Sequence, residues 1–272
     1  MTSYKINSVR TRYKGETASE YDKKRAGRKK WKIEIKAIKN FIDHFEPDSI
    51  IVDLPVGTGR LFPLFDESSH KIFGIDISFD MLQQVKRKFP EFSNGILKGD
   101  AVNIPLKNNS VDYILCLRLM NWVQEATMKK ILNEFHRVAR KGFVFGFRCQ
   151  EKMSSASMLK YAILNAIPTM TNIRMWNRKI ADFGRRVIGK IKYEYNRLTG
   201  KPSGFSTAVN KEVFIRTYYN KEKMFKLFSE IGLEIVEEVY IDTICHFSKR
   251  IAKPYSLYLF KYKDTDTGIS NS

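Results

Sequence analysis

Residues 49–60 read SIIVDLPVGTGR. Ile50, Ile51 and Val52 form a short run of bulky β-branched residues that stops at Asp53, as expected of a strand buried on both faces of a parallel sheet. The turn that follows carries Gly57 and Gly59, where missing side chains let backbone come close to a ligand. A helix expected after Arg60 would turn its N-terminus toward electron-rich groups.

Further runs repeat the pattern downstream. Lys71–Asp76 (KIFGID) predicts a second strand, and SFDMLQQVKRKF a helix capped by Ser78. Gly95–Asp100 (GILKGD), Val111–Leu117 (VDYILCL) and Gly142–Phe147 (GFVFGF) predict strands three to five, with a helix from Ala126 to Ala139 before the last. Five strands separated by helices of ten or more residues imply a parallel sheet, because parallel neighbours need crossovers and helical crossovers cover both faces. The ligand then belongs at the carboxyl ends of the strands. Toward the C-terminus KEKMFKLFSEIG predicts a helix stopped by Gly232, and LEIVEEVYI and YSLYLFKYK a pair of strands running antiparallel at one edge. Upstream, Trp31, Ile35, Ile38, Phe41 and Ile42 recur at helical spacing between Glu20 and Phe45.

The expected fold is α/β: a doubly wound, seven-stranded, mostly parallel sheet with a helical insertion after strand five. Residues 1–45 form a helical cap, 46–149 and 211–263 the core, 150–210 a basic helical insertion or lid, and 264–272 a disordered tail.

Asp53, Asp76 and Asp100 close three successive strands on one edge of this sheet. Asp76 lies about twenty residues beyond the glycines, where an acidic side chain accepts hydrogen bonds from a ribose diol. The competing role for Asp76 and Asp100 is to cap the turns that follow them.

In order and spacing, DLPVGTGR, GIDIS and GDAVNIPLKNNSVDYILC resemble the motifs of class I S-adenosylmethionine-dependent methyltransferases. The segment ASEYDKKR (Ala18 to Arg25) is similar to the start of the small-molecule branch that includes quinone-biosynthesis methyltransferases. The resemblance implies a Rossmann-like core that binds S-adenosylmethionine and releases S-adenosylhomocysteine. It puts Asp53 near the methionine amino group, lets backbone at Gly57 and Gly59 pass beneath the cofactor, and gives the ribose hydroxyls to Asp76, with Ile77 beside them. It assigns the adenine to Asp100 and Ala101, the neighbourhood of the sulfonium to Leu117, and the methionine end to Tyr21. Pro55 departs from the pattern, standing where the family most often has its first glycine; it holds φ near −65° and removes an N–H.

Arg118, Asn121 and Trp122 follow strand four, and Arg148 follows strand five, on the substrate side of such a fold. Arg118 either holds an anion or pairs with a carboxylate. His246 is the best-placed histidine for a general base, against a packed or solvated histidine as the plainer role. Cys116, Cys149 and Cys245 stand far apart without metal-ligand spacing and are expected to be reduced packing residues; no metal is expected.

The formal net charge is +19 over 272 residues. Between Arg148 and Lys201 twelve basic residues face three acidic ones, interleaved with Trp176, Ile180, Phe183, Val187, Ile188 and Ile191. A basic amphipathic helix fits a membrane surface or a lid over an anionic substrate, and equally a solvated face. Two function classes follow. One is a methyltransferase for a small anionic or lipid- or glycan-linked acceptor. The other is an RNA methyltransferase using the charge and Trp176, Tyr193 and Tyr195 along a backbone. A nicotinamide enzyme is disfavoured, since no G-x-G-x-x-G follows strand one. With no apolar run long enough to span a bilayer and no secretory signal, the expected location is cytoplasmic, with peripheral contact to the inner membrane face open.

Overall fold

A computed structural model describes residues 29–66, 68–157, 217–246 and 251–263, together with Gly15, Ala18, Glu20, Tyr21, Asp22 and Leu159. Burial explains the architecture directly. Every residue of strand β4 (Val111–Leu117) is buried, and β1 (Ile50–Asp53) is buried from Ile51 onward, so both run through the middle of a sheet covered on its two faces.

The remaining strands are β2 (Lys71–Asp76), β3 (Ile96–Lys98), β5 (Ala139–Arg148), the two-residue β6 (Glu151–Lys152), β7 (Leu233–His246) and β8 (Ile251–Tyr262). They make an eight-stranded sheet in which the order runs β3-β2-β1-β4-β5-β8, and β7 also pairs with β8. The pairs β3/β2, β2/β1, β1/β4 and β4/β5 are parallel, and β8 lies antiparallel to β5. Only four residues separate His246 from Ile251, too few for the crossover a parallel neighbour needs. The doubly wound, mostly parallel sheet is as the sequence implies, with β6 as an additional short strand.

Four α-helices are described: α1 (Lys29–Ile42), α2 (Phe79–Lys88), α3 (Glu125–Val138) and α4 (Lys221–Glu230). Side chains alternate along each strand, so the sheet has two apolar faces. On one, Val52, Ile114, Cys116, Phe143, Phe145 and Phe260 join Met128, Ile131 and Phe135 of α3 and Phe228 of α4. On the other, Ile51, Tyr113, Leu115, Val144 and Leu257 join Ile38 and Phe41 of α1 and Leu82 and Val85 of α2. Cys116 and Cys149 are buried free thiols, consistent with packing residues.

The helix ends obey local chemistry. Ser78 caps α2 by accepting from the Met81 N–H at 3.3 Å, and Asn220 caps α4 by accepting from Lys223 at 2.9 Å. Gly232 ends the α4 segment with φ of +78°.

Two connections differ from expectation. Between β1 and β2 the glycine turn leads into a single 3₁₀ turn (Phe62–Leu64), and between β3 and β4 residues 99–110 hold no α-helix. Pro63 and Pro105 sit inside these short crossovers, and each removes the N–H that a helix interior needs. The glycine loop therefore leads into a 3₁₀ turn rather than an α-helix of its own.

The chain divides into two compact units, the smaller comprising residues 152–213 and 245–251. Most of the expected insertion, including Trp176, Tyr193 and Tyr195, and the whole tail from 264 lie outside the described residues. In the larger unit, Gly59 has φ of +76°, and a Cβ there would stand 3.0 Å from Phe89 and 3.2 Å from Val85 of α2. Gly59→Ala should therefore lower the unfolding free energy by about 1–3 kcal/mol, through left-handed strain and overpacking. Urea denaturation measures it, and an unchanged midpoint would contradict the tight loop-to-helix contact.

Candidate functional site

The carboxyl ends of β1, β2 and β4 meet around a cleft of about 780 Å³, open mouth included. Asp53, Gly57, Asp76, Ile77, Leu117, Arg118 and Trp122 line it, and Tyr21 adds an aromatic wall from the N-terminal segment. That segment is tied down next door: the Thr58 hydroxyl donates to Asp22 at 2.7 Å, and Lys88 of α2 pairs with the same carboxylate.

Asp76 is fixed by backbone. One carboxylate oxygen accepts from the Gly57 N–H at 2.9 Å and the other from the Ser78 N–H at 2.8 Å. Turn capping and a ligand role are thus compatible, since each oxygen keeps a further lone pair. Burial pushes the Asp76 carboxyl above its usual range, and the N–H groups of Ser78, Gly57 and Ile77 pull it back only in part.

Asp53 is 3% exposed at the end of β1. Burial pushes its carboxyl up to about 8; Arg60 opposes this and the charge of Asp76 reinforces it. Two acidic groups side by side in a water-poor cleft form a site for a cation or for hydroxyl donors.

A second hollow continues the cleft and shares Pro55, Ile77, Leu119 and Trp122 with it. Its other walls include Leu54, Gly99, Asp100, Ala101, Val102 and Ile131, a mostly apolar slot with one carboxylate at its rim. Asp100 thus stands in the adjoining hollow rather than beside Asp53 and Asp76. The connection bearing it is held from α3: Glu134 accepts from the Ile104 N–H at 2.7 Å, and Arg137 donates to the carbonyls of Ile104 and Leu106 at 2.9 and 2.7 Å.

Gly57 and Gly59 have separate tasks. Gly57 lines the cleft with φ of +57° and open space where a Cβ would be, whereas Gly59 packs against α2. Pro55 lines both hollows, and the Leu54–Pro55 peptide is cis.

On the substrate side, Arg118 takes a left-handed backbone (φ of 64°) and turns its guanidinium onto Glu34 of α1, with Nε donating at 3.2 Å and Nη2 also bonded. Arg60 meets the same carboxylate, Nη1 lying 3.0 Å from Oε2, and Glu34 has no exposed surface. Both guanidiniums lie over the Trp31 ring, 5.2 and 5.9 Å from its centroid. Burial pulls the Arg118 guanidinium down, but the charge and hydrogen bonds of Glu34 outweigh it and hold the group firmly protonated. The sequence reading passed over Glu34. Its signal was a charge three residues after Trp31 and four before Ile38, on the stripe that faces the core.

Asn121 and Arg148 differ from the substrate-facing placement expected of them. The Asn121 amide is spent on backbone, accepting from the Arg148 N–H at 2.7 Å and donating to the carbonyls of Arg148 and Thr217 at 3.0 and 2.7 Å. Arg148 is 6% exposed, donating to the Lys253 carbonyl at 2.7 Å and pairing with Asp242. Neither lines the cleft, because each satisfies buried backbone or charge first. His246 ends β7, and its side chain lies outside the described residues. Among the described residues no His, Cys, Asp or Glu cluster could hold a metal.

The chain is similar to known proteins in sequence and in fold. Residues 52–146 match the sequence profile of a methyltransferase domain family. An uncharacterised methyltransferase-like protein of Schizosaccharomyces pombe is 34% identical over 102 residues, which is 37% of this chain and 39% of the relative. Malonyl-[acyl-carrier protein] O-methyltransferase of Hamiltonella defensa is 28% identical over 99 residues, 36% of this chain and 37% of that one. The chain thus matches well under half the length of these curated relatives. The crystal structure of magnesium protoporphyrin IX methyltransferase from Synechocystis with bound S-adenosylhomocysteine shares the fold, with a TM-score of 0.53 at 13% identity, over 96% of this chain and 95% of that one.

The raised Asp53 carboxyl has a definite pH signature. Between its ordinary value of 3.8 and about 8 the folded protein keeps a proton that the unfolded chain has released. Folding stability from this group is therefore full at the acid end and lost as the pH rises through about 8. Subtracting the unfolding free energy of Asp53→Asn from that of the ligand-free wild type across this range should leave a slope of about one proton. A flat difference would overturn the assignment.

Proposed function

We propose, on the premise that residues 52–146 match a methyltransferase domain, that the chain is a class I S-adenosylmethionine-dependent methyltransferase and transfers a methyl group to a small acceptor that is anionic or linked to a lipid or glycan. The observation that carries this is the pairing of Asp53 and Asp76, both buried, with the open approach at Gly57 along one cleft.

Each part of the cofactor has a counterpart of suitable chemistry. Asp53 would hold the methionine ammonium, since a cation brought there favours the ionised carboxylate that burial otherwise suppresses. Asp76 offers its remaining lone pairs to the ribose diol, its orientation already set by the two backbone bonds. The apolar slot of Leu54, Pro55, Ala101, Val102 and Ile131 suits the flat face of adenine, with Asp100 at its rim for an amino group.

When bound, S-adenosylmethionine would supply a methyl group activated for in-line displacement by a lone pair of the acceptor, with the thioether as leaving group. The protein's part is alignment and exclusion of water. Leu117 is 6% exposed at the end of β4 and gives the reacting region an apolar floor; Tyr21 and Trp122 wall it. Two of the similar proteins are named for magnesium protoporphyrin IX and malonyl-[acyl-carrier protein], which supports an acceptor other than RNA. A net charge of +19 and the basic stretch after Arg148 support contact with an anionic membrane surface. Among the described residues no helix is long and apolar enough to cross a membrane.

S-adenosylhomocysteine at a hundredfold over its Kd should stabilise the native chain by about 2.7 kcal/mol, a rise of several degrees in Tm, and NAD should leave the Tm unchanged. Asp76→Ala, checked for folding by circular dichroism, should lose most of that rise. A full response in that variant, or none in the wild type, would defeat the proposal.

A further inference from the structure

The cleft wall beside Leu117 holds more positive than negative charge. Arg60 and Arg118 both line the cleft and both end on the one carboxylate of Glu34. Behind them Lys30 and Arg148 share Asp242, Lys30 at 3.5 Å. Four cations thus meet two carboxylates, Glu34 fully buried and Asp242 with its side chain 37% exposed. Burial, with Arg148 and Arg118 adding to it, pushes the Lys30 ammonium down to about 8 against the pull of Asp242 and Glu34.

Polar capacity is also left over. Arg60 Nη1 is buried and, although 3.0 Å from Glu34, makes no aligned hydrogen bond. The Tyr255 hydroxyl, on a residue 3% exposed, has no hydrogen-bond partner, and Glu34, Arg118, Arg60 and Arg148 all act on it electrostatically. A surplus guanidinium charge and unmatched donors are costly in a folded protein unless a ligand completes them.

We infer that Arg60 and Arg118, clamped by Glu34, form the receptor for an oxyanion, carboxylate or phosphate, carried by the methyl acceptor. The inference rests on the methyltransferase assignment above. Glu34 is the positioning residue: it draws the two guanidiniums from the β1 loop and the β4 turn to one point, yet cancels only one of their charges. Arg118 directly follows Leu117, so an anion held there sets the acceptor against the apolar floor of the cleft. The guanidinium edge not used by Glu34 supplies the donors, and its planar fork suits either oxyanion.

The alternative source of an oxyanion is the methionine carboxylate of the cofactor, and one set of titrations separates the two. Tm is followed for the full chain with S-adenosylhomocysteine alone, and then, with that ligand saturating, against malonate and against inorganic phosphate. The wild type should respond saturably to at least one probe, malonate marking a carboxylate receptor and phosphate a phosphate receptor. Arg118→Met, which leaves Glu34 paired with Arg60, should weaken that response about tenfold or more while holding the half-saturating concentration of S-adenosylhomocysteine within about twofold. Arg118→Lys, which keeps the charge but loses the fork, should fall between and serves if the methionine variant does not fold. No saturable response to either probe, an equal response in both variants, or loss of S-adenosylhomocysteine binding instead would overturn the inference. Failure of the wild type to bind S-adenosylhomocysteine at all would strike the methyltransferase assignment itself.

Discussion

Glu34 carries a full charge into the face of α1 that packs on the sheet, and that is tolerable only because two guanidiniums come to it from different places in the chain. One, Arg60, leaves the loop after β1; the other, Arg118, leaves the turn after β4 through a left-handed residue. The contact ties the N-terminal helix to the two strand ends that bound the cleft. Helix α1 is thereby held by its apolar face, through Ile38 and Phe41, and by a charge that cannot slide without leaving an unpaired ion. The substrate side inherits its shape from this clamp.

A second layer of control comes from burial acting on acids. Asp53 and Asp76 sit on adjacent strands because β1 and β2 pair in parallel register, which brings both carboxyl ends to the same edge. Kept from water, each resists ionisation, and each therefore gains most from a partner that supplies positive charge or hydrogen. The glycine loop contributes differently at its two glycines: Gly57 leaves room toward the cleft, and Gly59 uses its missing side chain to lie against α2. In the same loop the Gly57 N–H donates to Asp76.

Much of this was legible in the chain itself. The apolar runs of β1, β2 and β4, the acidic last residues of β1 and β2 and the caps at Ser78 and Gly232 are local signals, each set by neighbours a few residues away. They were enough to expect a parallel sheet with a ligand at its carboxyl edge. Among the described residues no α-helix stands between β1 and β2 or between β3 and β4, where the connections are short and Pro105 removes an N–H from the second.

What the sequence by itself determined is the order of strands and turns and the edge at which the acidic residues gather, since these follow from periodicity, propensity and the handedness of crossovers. The tertiary structure alone decided which polar side chains are free to act. Asn121 and Arg148 are consumed by buried backbone and by Asp242, while Arg118 is bent onto a glutamate 84 residues away. The physical reason is that a buried charge or amide must be satisfied by whatever the fold brings within reach, and such partners lie far off in the sequence, where no local pattern records them.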